Sequence, residues 1–125
     1  MEDEVCDHLA RGRRSLKAAE LLAEEGLYED ASSRCYYAMY HAAKAALARE
    51  GVKTRTHKGL ISMYGRHFVK DGRLDKESLR NLSYGFGLRM SGDYDPSYSL
   101  TEEEITSLLV EAREFITSVE TFLNQ

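Results

Sequence analysis

Residues 32–48 read Ser-Ser-Arg-Cys-Tyr-Tyr-Ala-Met-Tyr-His-Ala-Ala-Lys-Ala-Ala-Leu-Ala, and they restrict the fold more than any other stretch. At the helical period Cys35, Ala38, Met39, Ala42 and Ala46 form one apolar stripe. Tyr36, Tyr40, Ala43 and Leu47 form a second stripe beside it, so Tyr37, His41, Lys44 and Ala48 make the only mixed side. A helix that is apolar on most sides has to be covered on most sides. Its alanines favour helix and let neighbouring backbones approach. The stretch therefore predicts the central helix of a bundle, covered by its own chain or additionally by a second subunit.

The remaining pattern supplies the cover. Helix one is predicted from Asp3 to Glu25, with Val5, Leu9, Gly12, Leu16, Ala19 and Ala23 on one face and Gly26 as its stop. Helix two follows from about Tyr28 to Arg49, and so short a connection makes the two antiparallel neighbours. After Gly51 and a basic loop, helix three starts near Thr56 or His57 and is expected to bury Leu60, Ile61, Tyr64 and Phe68. Asp75 is a cap for helix four, whose face is Leu79, Leu82, Phe86 and Met90. Gly85 and Gly87 interrupt it, and close approach of a backbone or ligand is their expected use. Residues 91–99, Ser-Gly-Asp-Tyr-Asp-Pro-Ser-Tyr-Ser, read as an irregular break. Thr101 and Glu104 form a capping box for the last helix, which presents Ile105, Leu108, Leu109, Ala112, Phe115, Ile116, Val119 and Leu123. No strand pattern or repeat is visible. The expectation is an all-α, up-and-down bundle of four long helices and one shorter one, a single domain over residues 1–125.

Composition narrows the function classes. The net charge of −4 argues against a general nucleic-acid or membrane coat. Charge is uneven: residues 49–89 hold ten Lys/Arg against four Asp/Glu, whereas 90–125 hold one against eight. Either these are solvated faces that pair between helices, or the basic middle meets phosphate. No apolar run is long enough to span a bilayer. The acidic start, Met1 to Glu4, lacks the core of a signal peptide, so a cytoplasmic protein is expected. Cys35 reads as a reduced core thiol. Cys6-x-His8 has no second ligand pair at metal spacing, so neither a metal nor another cofactor is expected.

No phosphate-loop, zinc-hydrolase or serine-nucleophile motif is present. What remains is arginine, histidine, tyrosine and acid. Ala31 to Leu47, with Tyr36-Tyr37-Ala38-Met39-Tyr40-His41-Ala42-Ala43-Lys44-Ala45, resembles the second helix of HEPN domains. His57-Lys58-Gly59-Leu60 resembles the start of their third helix, and Arg89 with Asp93-Tyr94-Asp95-Pro96 their segment at the end of the fourth. The resemblance runs over about residues 5 to 123 and is strongest to the small stand-alone proteins grouped as UPF0332.

The resemblance implies a homodimeric bundle, often encoded beside a minimal nucleotidyltransferase in a toxin–antitoxin-like pair. It places nucleotide or RNA binding at Arg89, Asp93 and Tyr94. Active family members are metal-independent ribonucleases whose motif is an arginine followed, after four to six residues, by a histidine. Here Met90, Ser91, Gly92, Asp93, Tyr94, Asp95 and Pro96 follow Arg89, so that histidine is missing and Tyr94 stands in one of its positions. Tyrosine is a poor base at neutral pH. Arg89 either binds phosphate or pairs with Asp93 or Asp95 to fix the loop. Arg34 and His41 match the spacing on the wrong helix, about 10.5 Å apart along its axis. They are the other candidate catalytic pair; alternatively His41 packs between helices and Arg34 pairs with a neighbouring acid. In some relatives the partner enzyme transfers adenylate onto a tyrosine, which makes Tyr94 and Tyr98 candidate acceptors unless they only pack the loop. Tyr36, Tyr37, Tyr40 and His41 face either their own core or a second copy. Three readings follow: a nucleotide-, RNA- or partner-binding module, a ribonuclease, and a purely structural dimer.

Overall fold

The computed structural model describes residues 2–125, apart from the side chain of Glu2. The chain forms α1 (Glu2–Glu24), α2 (Tyr28–Arg49), α3 (His57–Tyr64), α4 (Lys76–Tyr94) and α5 (Glu102–Leu123). There is no strand among the described residues, and no helix there is long and apolar enough to cross a membrane.

The α2 helix is the axis of the bundle, as its composition requires. Ala31, Cys35, Tyr36, Ala38, Met39, Ala42, Ala43, Ala45, Ala46 and Leu47 are wholly inaccessible to solvent. Ala48, expected on the mixed side, is buried as well. The α1 helix packs along α2 antiparallel to it, with Val5 in a cluster with Ala45 and Ala48, and Gly12 against Ala38. A β-carbon on Gly12 would stand 3.1 Å from the Ala38 carbonyl oxygen, so glycine sets the closeness of this crossing. Gly26, at φ +78°, makes the reversal between the two helices.

The last helix runs alongside α2 in the same direction. Glu29 of α2 accepts a hydrogen bond from the Leu100 backbone N–H at 2.9 Å. At the other end Arg49 donates to the Leu123 carbonyl at 2.7 Å, supplying a partner for a helix-terminal acceptor. The Thr101–Glu104 capping box is formed. Buried on α5 are Ile105, Leu108, Ala112, Phe115, Ile116, Val119 and also Phe122. Ion pairs Arg13–Glu120 and Arg113–Glu20 join α5 to α1 in antiparallel register.

Three expectations are corrected. The third helix does not run as a plain α-helix through Phe68: Gly65–Val69 widens into a π-turn, in which the Lys70 N–H reaches the Gly65 carbonyl at 2.9 Å. Leu79 crowds Gly65, and Phe68 remains wholly buried through the wide turn. The fourth helix does not break at Ser91 but continues to Tyr94. Its last turn is held by the i, i+4 pair Arg89–Asp93 at 3.5 Å. The chain then turns where Asp95 accepts from the Ser97 N–H at 2.9 Å and hydroxyl at 2.6 Å. Finally, Met90 is exposed rather than part of the α4 core face, which rests on Leu82, with Leu79 and Phe86 half-buried.

Candidate functional site

The half-buried side of α2 carries the chemistry. Tyr37 sits at its middle, and two guanidinium groups lie over its ring: Arg34 at 4.8 Å from the centroid and Arg89, from α4, at 5.4 Å. A positive group over an aromatic face is held by the ring quadrupole. The side chain of Arg89 is 23% exposed, and Asp93 meets one of its nitrogens. A guanidinium has five N–H donors, so donors remain for a second anion. Of the two acids that the sequence offered Arg89, the structure selects Asp93; Asp95 is engaged with Ser97.

Gly85 brings α4 close enough to α2 for this arrangement. A β-carbon there would meet the Met39 methyl at 2.9 Å and the Tyr36 ring at 3.4 Å. Gly87 meets nothing within 4 Å, so the close-approach expectation fails at that position.

His57, at the first turn of α3, completes the patch; in the sequence it stands out only through the resemblance at the helix start. Its Nδ1 lies 2.6 Å from the Tyr36 hydroxyl, its ring stacks on Phe86, and Tyr37 and Tyr40 flank it. Partial burial, followed by the charges of Arg89 and Lys44, pushes its pKa down, so the imidazole is neutral near pH 7. The Tyr36 phenol is pushed well up, first by burial, and stays protonated. Of the four aromatic and histidine residues assigned to the α2 helix surface, Tyr36 faces the chain's own core. Tyr37, Tyr40 and His41 are half-buried at its edge.

Tyr94 and Tyr98 part company. Tyr94 ends α4 rather than lying in a loop, and is 77% exposed. Tyr98 folds back: its hydroxyl is 3.1 Å from the Ser32 hydroxyl and its ring lies against Gly92. Of the two readings of Tyr98, packing of the loop onto the bundle matches its surroundings.

Arg34 and His41 come together in one groove between α1 and α2, of about 470 Å³, lined also by Arg11, Arg14 and Ser15. His41 Nδ1 is 3.1 Å from His8 Nδ1 of α1, so it packs between helices, one of its expected roles. Burial first, then His8, Arg11, Arg34 and Lys44, push its pKa down to about 4. Arg34 forms no ion pair among the described residues, contrary to the expectation of an acid from a neighbouring helix. Both cysteines are free thiols, and burial pushes Cys35 up to about 12.

A family model described as "HEPN domain" matches residues 5–122. A protein of Methanocaldococcus jannaschii named "Putative toxin" is 33% identical over 125 residues, covering all of this chain and 92% of the relative. A second protein of that organism, also named "Putative toxin", is 29% identical over 92% of this chain and 78% of its own length. A "UPF0332 protein" of Gloeobacter violaceus is 35% identical across the whole of both chains.

Proposed function

Because this chain belongs to the HEPN domain family, we propose that it is the toxin-like half of a two-protein pair. In this reading residues 1–125 act as one domain in a homodimer. Its effector surface is the cationic aromatic patch at Arg89, Asp93 and Tyr94, which takes the phosphate of RNA or a nucleotide. The partner is a minimal nucleotidyltransferase. One observation carries the reading: Arg89 is fixed over Tyr37 by Asp93, yet keeps guanidinium donors for an incoming phosphate. The names of the two Methanocaldococcus relatives support the toxin-like part.

Tyr94 suits adenylation by that partner better than Tyr98, being the more exposed of the two. In such a transfer the phenol oxygen bonds to the α-phosphorus of ATP, pyrophosphate leaves, and a base takes the phenolic proton. Expression of the chain alone is expected to slow growth of a host, and Arg89→Ala to relieve this. Co-expression with the nucleotidyltransferase is expected to restore growth. Equal growth with wild type and Arg89→Ala, at equal protein level, would remove the reading.

Metal-independent ribonuclease activity is a second reading, favoured by His57. This histidine shares Tyr37 as a neighbour with Arg89 and is neutral near pH 7; as the tautomer whose Nδ1–H donates to the Tyr36 hydroxyl oxygen, it leaves Nε2 to accept the proton of a ribose hydroxyl. Arginine would stabilise charge on the phosphoryl oxygens. Cleavage should then be lost in both Arg89→Ala and His57→Ala and be indifferent to a chelator. Intact RNA with the wild-type protein rejects this reading.

A further inference from the structure

The groove between α1 and α2 gathers positive charge, and no acidic side chain among the described residues lines it. Arg11, Arg14 and Ser15 lie on one face of α1, and Arg34, Tyr37 and His41 on the facing side of α2. The chain is acidic overall, with 21 Asp/Glu against 17 Lys/Arg. Five arginines elsewhere find these acids: Arg13, Arg73, Arg80, Arg89 and Arg113 each meet a carboxylate, while Arg49 donates instead to the Leu123 carbonyl, and Arg55 and Arg66 meet no acid among the described residues. Among the described residues Arg11, Arg14 and Arg34 meet none. Arg13 and Arg14 are adjacent in sequence, yet only Arg13, which pairs with Glu120 of α5, is neutralised. The guanidiniums that line the groove repel one another and, after burial and His8, those of Arg11 and Arg34 help to keep His41 uncharged. An anion between the helices would offset this repulsion and counteract the lowering of the His41 pKa.

We propose that this groove is a binding site for a ligand bearing consecutive phosphates, either the phosphate chain of a nucleotide or the backbone of a single strand. Two features select consecutive phosphates over a single one. The groove, at about 470 Å³, is of small-ligand size. Arg34 and His41 are also about 10.5 Å apart along α2, too far for one phosphate to touch both. Arginine forks from both helices would grip the oxygens, and the Ser15 hydroxyl adds a donor. The groove shares Tyr37 with the Arg89 patch, but Arg89 itself does not line it.

Calorimetric titration of the full chain at low salt tests this with three probes: tripolyphosphate, ATP and a short single-stranded oligonucleotide. The wild type should bind at least one. Arg11→Gln and Arg34→Gln should each weaken that binding by about tenfold, as expected for loss of a charge-assisted fork. Arg13→Gln, which removes a charge already paired with Glu120, should leave it nearly unchanged. Arg34→Lys should recover part of the affinity by keeping the charge. Thermal unfolding of each variant establishes that it is folded, and Arg14→Gln replaces any that is not. Binding of tripolyphosphate and ATP identifies a nucleotide's phosphate chain; binding of the oligonucleotide alone identifies a strand. No binding of any probe by the wild type overturns the proposal. So does binding that is lost in Arg89→Gln and kept in Arg11→Gln, an outcome that would leave the α4 site standing.

Discussion

Three glycines on the packed helices give a quantitative test of how tightly α2 is wrapped. Replacing glycine by alanine inside a helix gains about 1 kcal/mol from propensity. At Gly87 the new β-carbon meets nothing within 4 Å, so the full gain should appear. At Gly85 it would stand 2.9 Å from the Met39 methyl, the end of a flexible side chain that can move aside. The gain and the crowding should then nearly cancel, leaving a change within about 0.5 kcal/mol. At Gly12 the obstacle is the Ala38 carbonyl oxygen at 3.1 Å, part of the α2 backbone. Relief there means moving α1 off α2, and overpacking of this kind costs about 1–3 kcal/mol. Gly12→Ala should therefore be destabilising by about 1 kcal/mol net, and larger residues more so. At about 4 °C per kcal/mol the expected order of midpoints is Gly87→Ala above wild type, Gly85→Ala near it and Gly12→Ala below. Urea and thermal unfolding followed by circular dichroism read all three. Equal stabilisation at the three positions would refute the close α1–α2 and α4–α2 contacts.

Acid should weaken the fold through His41. Its folded pKa, about 4, lies below the ordinary histidine value, so its contribution is complete above about pH 6.5 and is lost as pH falls toward 4. Solvent screening of this half-exposed ring reduces the effect to about 1 kcal/mol. His41→Gln should flatten the stability–pH curve in that window, and an unchanged slope would count against the His8–His41 contact. Glu111 behaves oppositely: burial, then Glu77 and Glu114, raise its pKa, so its charge opposes folding above the ordinary carboxylate range. Glu111→Gln should stabilise the protein at pH 7 by up to about 1 kcal/mol, and lower stability in denaturant would contradict this. Peptide mass spectrometry after co-expression with the nucleotidyltransferase should find adenylate on Tyr94 and none on Tyr98; an unmodified Tyr94 removes the acceptor role.

The bundle was legible because its signals are local and redundant. Residues 32–48 demanded cover, Asp75 and Thr101 with Glu104 marked helix starts, and the α5 stripe had the right period. The end of α4 was not legible, because Ser91-Gly92-Asp93 is composed like a turn; a side-chain pair, Arg89–Asp93, extends the helix there. The π-turn was hidden because Tyr64 and Phe68 keep a helical spacing and stay buried through it. Arg89 and Tyr94 could be picked out by resemblance, whereas the meeting of Arg89 with Tyr37 and His57 joins three helices and leaves no local pattern. The same holds for the groove. Arg11 and Arg14 lie off the apolar face of α1, and only the fold brings Arg34 opposite them.

The central proposal is that Arg89 contacts phosphate from the end of α4. Its most direct measurement is the anisotropy of a labelled single-stranded RNA, titrated with wild type and Arg89→Ala over a series of salt concentrations. If Arg89 neutralises one phosphate, the variant should bind more weakly, and its slope of log K against log salt should be smaller by about 0.7. Identical affinity and identical slope for the two proteins, both folded by circular dichroism, would contradict the account.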